Sequence, residues 1–302
     1  MPTNISTKTK LIIVPCHSVW NFTEQNKTSS NYHLGETTDQ WSLAPFQYEG
    51  NDHISFIKHC LRAIVELTND IENNILIFSG SQTKPELGPI SEAQSYYFLT
   101  YKIIQHWRNT NDIPDNFDSE MIDYLESISS YIDSNGGNIS TIFNAYNVST
   151  EEFSLDSFDN LLFSIARFQE IFFSYPKDIT IVGFGFKEER FVKYHAKAID
   201  FPQTKINYIS IGPEPTSYTK EQLTEYFSNI TKAENKNALN HFAKDWYGTC
   251  EPLREKKENR NPFSRTPRYE TLSLLLLNGE ITDCESHFNL YIQGKMPWSV
   301  RN

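Results

Sequence analysis

At 302 residues, with 38% apolar and 14% aromatic side chains, the chain is long enough to bury one substantial core. Its formal net charge of -11 excludes a general nucleic-acid or anionic-membrane surface, because both partners reward clustered Lys and Arg, and leaves room only for a local basic pocket. Cys16, Cys60, Cys250 and Cys284 form no CxxC pair, and no spaced Asp and Glu cluster suits a metal, so the expectation is free thiols in a reducing, cytoplasmic compartment and no metal site.

Residues 1–9 are polar and read as a flexible N-terminus, with no signal peptide or membrane helix behind them. The sequons at Asn4, Asn21, Asn26, Asn138, Asn147 and Asn229 fit an Asn- and Ser-rich composition better than glycosylation. Leu11 to Val14 is a first strand, ending at Pro15-Cys16-His17-Ser18. From Asn21 to Asp52 a long ordered loop is expected, held down by Trp20, Phe22, Trp41, Phe46 and Tyr48. Helical spacing then covers His53 to Leu67, and Ile75 to Phe78 forms an uninterrupted apolar run into Ser79-Gly80-Ser81, the mark of a strand buried on both faces.

A helix opens at Ser91-Glu92 and runs to about Trp107, with a weaker helical pattern from Met121 to Ile132. Ile142 to Val148 reads as a third strand, and Ser157 to Phe173 as a helix with cap candidates from Ser154 to Ser157. Ile179 to Phe184 and Ile206 to Ile211 are further buried strands, with one helix, Phe186 to Ile199, between them. Beyond Thr219 the pattern is helical at Thr219–Ile230, Asn237–Trp246 and Glu251–Glu258, while period does not decide between helix and strand for Leu272 to Leu277. Alternating strands and helices predict an α/β, Rossmann-like, doubly wound and mainly parallel sheet over 10–215, with a mainly helical extension, 216–302, packed on it.

In such a sheet ligands bind beyond the strand carboxyl ends. Five polar clusters fall there: Cys16-His17-Ser18; Ser79-Gly80-Ser81 with Ser91-Glu92; Glu151 with Ser154, Ser157 and Asn160; Gly183 to Arg190; and Gly212-Pro213-Glu214. The start of the helix at Glu92 is expected to offer free N–H groups to an anion. Glu92 serves the helix dipole and ligand hydroxyls equally well, and Lys187 with Arg190, three apart, is either an anion clamp or a solvated flank balanced by Glu188 and Glu189. Ser157 reads as a cap, Glu151 and Asn160 as lining, His17 as a general base or ligand contact, and His195 as packing.

The order Ser79-Gly80-Ser81, Ser91-Glu92-Ala93, Glu151-x-x-Ser154-x-x-Ser157-x-x-Asn160 and Gly185-Phe186-Lys187-x-x-Arg190 resembles the SanA/ElyC/YdcF-like family of domains of unknown function (DUF218), over residues 10 to 215. The likeness is strongest to its larger, soluble eukaryotic (fungal-type) branch, which carries a Cys-His pair like Cys16-His17. Ser81 departs from the family's second glycine, Ser157 and Asp159 from its Thr and Glu, and Lys187 from the His of bacterial members, which exchanges a neutral-pH base for a cation. The resemblance implies a Rossmann-like fold and, from one branch, S-adenosylmethionine as ligand.

The residues and the resemblance together lead to a binder of a small anionic, nucleoside-type ligand, S-adenosylmethionine being the candidate, and to transferase chemistry if it is an enzyme. The alternatives are a hydrolase of phosphorylated or glycosidic small molecules and a non-catalytic sensor or scaffold. Catalytic candidates are His17, Glu92 and Glu151; Cys16, Ser79, Gly80, Ser81, Ser91, Glu92, Ser154, Asn160, Gly183, Lys187 and Arg190 are ligand-binding candidates. No nucleic-acid or membrane partner is expected.

Overall fold

A computed structural model describes residues 8–21 and 32–300. The sequons at Asn4 and Asn26 and the aromatic Phe22 lie outside the described residues, as do residues 1–7. The last part of the N-terminus expected to be flexible is fixed: Lys8 Nζ donates to Asn74 O at 2.6 Å and to Asn147 Oδ1 at 2.6 Å.

Among the described residues five strands, β1 (Lys10–Pro15), β2 (Asn74–Ser79), β3 (Val148–Glu151), β4 (Asp178–Gly183) and β5 (Ile206–Ser210), form one sheet in the order β3-β2-β1-β4-β5. All pairings are parallel, with Leu11 opposite Ile75 on one side and Ile179 on the other. The apolar runs lack alternation because both faces are covered. Ile12, Val14, Leu76 and Phe78 face helices α1 (Asp52–Thr68), α2 (Glu92–Thr110) and α3 (Ser119–Ser134). Leu11, Ile13, Ile75 and Ile77 face α4 (Ser157–Phe172) and the segment from Phe191 to Ile199. This is a doubly wound, Rossmann-like α/β fold, and the direction of winding reverses between β1 and β4. No helix among the described residues is long and apolar enough to cross a membrane.

Three expected elements differ. The third strand is Val148–Glu151, not Ile142–Val148, because Asn138 and Asn144 side chains accept from the N–H groups of Ser140 and Tyr146 and hold that stretch in turns. The single helix expected after β4 is a 3-10 turn, Gly185–Lys187, then a π-helical stretch, Arg190–His195, and one α turn, α5 (Ala196–Ala198). His195 is drawn into the core there, where Ser157 Oγ and His195 Nε2 share a 2.7 Å hydrogen bond. In the long loop Trp20 and Trp41 are buried and joined by an antiparallel bridge, but Phe46 is 76% exposed and Tyr48 is exposed too, so neither holds the loop down.

The remainder comprises α6 (Lys220–Glu234), a π-helical stretch Asn235–Leu239, α7 (Asn240–Phe242), α8 (Leu253–Asn259), a 3-10 helix Glu270–Leu275 and α9 (Cys284–His287), which runs into a last π-helical stretch, Phe288–Ile292. Leu272 to Leu277 is therefore largely 3-10 helix. Phe242, Tyr247, Tyr269, Leu275, Ile292 and Trp298 join the same apolar cluster as Leu11 and Ile77, so this segment is one wall of the core. Ile292→Ala should cost about 2–4 kcal/mol, the usual range for a buried truncation, in one cooperative urea transition. A separate early transition for the C-terminal segment would contradict a shared core.

Candidate functional site

The strand carboxyl ends bring Glu151, Ser79, Cys16, His17 and Gly183 to one edge of the sheet, but the chemistry there divides into a closed half and a charged half. At β2 and β3 the buried polar side chains are engaged internally. Ser79 Oγ donates to Glu151 Oε2 at 2.8 Å, and Tyr269 Oη donates to Glu151 Oε1 at 3.1 Å. The backbone N–H groups of Phe153 and Ser154 complete the set at 2.7 and 3.3 Å. Asn160 Nδ2 donates to Ser79 O at 3.1 Å and to Ser154 Oγ at 2.8 Å. Glu151, Ser79, Ser154 and Asn160 are all buried. Burial pushes the Glu151 carboxyl above its ordinary range while these donors pull it back. The cluster fastens β2, β3, the start of α4 and the C-terminal segment, and a carboxylate accepting four hydrogen bonds has little capacity left for a substrate proton.

The turn after β2 is equally occupied. Gly80 N donates to Glu151 O at 3.0 Å and Ser81 N to Ser154 O at 3.1 Å; Glu92 N donates to Ser81 O at 3.0 Å and Ala93 N to Gly80 O at 3.3 Å. Ser91 is the N-cap, accepting from Gln94 N. The expected free N–H groups at this helix start are therefore consumed by the turn itself, and no anion cradle exists there. Gly80 is required: a Cβ would come within 2.8 Å of Glu92 Oε2 and 2.9 Å of Cys16 Cβ. Glu92 is buried, accepts from Thr83 Oγ1 at 2.6 Å, and is pushed up by desolvation against the pull of Arg260, Lys84 and Lys187. Cys16 is a buried thiol, raised by desolvation and held protonated. The α4 cap is Asp156, accepting from Asp159 N, and Ser157 instead bonds His195.

The charged half lies between β1 and β4, at the point where the winding reverses. Lys187 Nζ lies 3.2 Å from Nδ1 and 3.3 Å from Nε2 of the half-buried His17. The His17 ring stacks on Phe184 at 5.3 Å, and Phe184 stacks on the half-exposed Phe186 at 5.1 Å, giving three near-parallel rings. The Lys187 ammonium sits over the Phe184 and Phe186 rings at 5.4 and 5.7 Å. Desolvation, with Lys187 next, drives the His17 imidazole well below its ordinary range, so it is neutral at pH 7. Desolvation and the neighbouring Arg190 lower Lys187 to about 7. Asp52, buried at the start of α1, is raised by desolvation to about 7 against the pull of Lys187.

Around this pair stand further cations. Arg190 Nε lies 3.2 Å from Glu234 Oε1. Arg260 Nη1 donates to Leu155 O at 2.9 Å, and Lys256 is lowered by desolvation and then by Arg260 and Arg190. Sequence reasoning missed Asp52, Glu234, Arg260 and Tyr269. Asp52 had a signal, as the acid opening the helix after Asn51, whereas Glu234 lies past the expected end of its helix and Arg260 and Tyr269 past the recognisable periodicity.

Fold and site define a Rossmann-like α/β protein with Lys187 and Arg190 gathered near His17 at its topological switch point. The chain is 48% identical over 298 residues, 97% of its own length and 98% of the other's, to the "Uncharacterized protein YOR238W" of Saccharomyces cerevisiae, and it belongs to the same family as that protein. No protein-family model matches the chain, and no solved structure matches it.

Glu151→Gln should destabilise the protein by about 1–3 kcal/mol, because an amide oxygen does not accept from Ser79, Tyr269 and two N–H groups together; urea denaturation measures it. The Lys187 amine is charged up to about pH 10.5 in the unfolded chain but only below about 7 when folded. Unfolded chain therefore binds the extra proton across that window, and stability rises with pH through it. Lys187→Met should accordingly be more stable than wild type by on the order of 1–2 kcal/mol near neutrality, after allowance for solvent screening, with the gap closing towards pH 10. Urea melts across that range would show no change in the gap if Lys187 were fully solvated.

Proposed function

We propose that this protein binds a small phosphate-bearing, nucleoside-type ligand in the crevice between the carboxyl ends of β1 and β4. The observation that carries this is the gathering of Lys187 and Lys256 with Arg190 and Arg260, where desolvation first and the two guanidiniums next lower both amines, on a chain of net charge -11. Such a gathering costs free energy in the empty protein, and a bound anion relieves it. The His17, Phe184 and Phe186 ring stack ends on a half-exposed face suited to a base. Neutral His17, beside the cations, is the general base favoured by position, which supports hydrolysis or transfer at a phosphate as the reaction class.

S-adenosylmethionine fits less well, since its sulfonium and ammonium add positive charge to a crevice already rich in it. Membership of the SanA/ElyC/YdcF-like family belongs to the same proposal, supported by the way its motif residues Ser79, Glu151, Ser154 and Asn160 close into one network. A cytoplasmic location accords with this ligand class.

A thermal-shift titration with AMP, ADP, inorganic phosphate and S-adenosylmethionine tests the proposal, because a ligand bound only by the folded state raises Tm. AMP and ADP should raise Tm in wild type and in Glu92→Gln, and lose the effect in Lys187→Gln and Arg190→Gln. Stabilisation by S-adenosylmethionine alone, undiminished in Arg190→Gln, would overturn it.

A further inference from the structure

Helix α6 lies across the site while being barely attached to the body it covers. Of its residues from Lys220 to Glu234 only Tyr226 is buried, whereas α4 buries most of its length. It rests on the Gly185–Lys187 turn, next to the His17–Lys187 pair. Two of its side chains reach into the body on the site side. Tyr226 seats its hydroxyl over Gly50, where any Cβ would collide with it and with Pro213. Glu234, at the far end, reaches Arg190 at 3.2 Å with side chains only 9% and 11% exposed.

That second attachment is a poor one. Arg190 Nε and Glu234 Oε1 are both shielded from solvent, yet neither makes an aligned hydrogen bond. A buried ion pair stabilises only when its geometry and remaining hydrogen bonds are satisfied, so this pair costs nearly as much in desolvation as it returns. A carboxylate on a thinly packed helix thus occupies the guanidinium of the crevice without using its fork, the part of arginine that matches a two-oxygen anion.

We propose that α6 is a lid and that the Glu234 carboxylate is an internal stand-in for the ligand's phosphate, holding Arg190 until that phosphate replaces it. The proposal rests on the anion-binding role of the crevice and adds its regulation. Phosphate offers Arg190 the bidentate geometry Glu234 lacks, and once Glu234 is displaced α6 keeps Tyr226 as its one fully buried side chain. Binding and lid release are then a single exchange, whose free energy is the difference between the two anions on one cation.

Isothermal titration of the full chain with inorganic phosphate, wild type against Glu234→Gln, tests this. The variant should bind phosphate about five- to tenfold more tightly, an ordinary size for such coupling, because the competing charge is gone. Amide exchange over Lys220–Glu234 in wild type should quicken when phosphate is added, a readout that needs no variant to fold. Equal or weaker binding by Glu234→Gln, or unchanged or slower exchange in phosphate-bound wild type, overturns the lid and leaves the anion site standing. Phosphate binding to neither protein overturns the site and the lid together.

Discussion

Burying both faces of an all-parallel sheet is the constraint from which the rest follows. With β1 and β2 enclosed by apolar layers, polar groups that must approach the middle of the molecule do so beyond the strand ends. Each strand therefore delivers its chemistry to one edge, and what happens there depends on how many internal partners each group meets. Where the C-terminal segment supplies Tyr269, the edge closes into a satisfied network; where β1 and β4 diverge, charge accumulates without full satisfaction.

The two halves do different work although their residues are of similar kinds. Glu151 and Asp52 are both buried carboxyls raised by desolvation, but the first is surrounded by donors and the second meets mainly the charge of Lys187. Ser157 and His17 both lie beside an imidazole or ammonium, yet Ser157 and His195 are walled in by Phe158, Phe191 and Phe242, while His17 keeps a partly open face. Enclosure, more than residue type, separates support from reactivity here.

The strands from Leu11, Ile75, Ile179 and Ile206 were legible because unbroken apolar runs have one interpretation in an α/β chain. β3 was not, because its sequence, VSTE, is polar at an edge, while the preceding Ile142 and Phe143 are buried beneath a turn rather than within a strand. His17, Glu92, Lys187 and Arg190 were legible as edge residues, since strand ends and turns announce themselves. Sequence does not show where N–H groups are spent, so the start of α2 looked open when Gly80 and Ser81 carbonyls already filled it. Nor does it show partners from afar: Glu234 meets Arg190 across the fold, and Tyr269 meets Glu151 from a stretch with no period to read.

The dependence of Glu151 on Tyr269 has a consequence for how the protein comes into being. The tyrosine, and the apolar side chains through Trp298 that cover one sheet face, are made only after every strand they pack on. Until they emerge, part of that hydrophobic surface is left uncovered and the acid is short of one donor. The order of synthesis thus puts the sheet in place before its last wall arrives, and chaperone protection matters most in that interval.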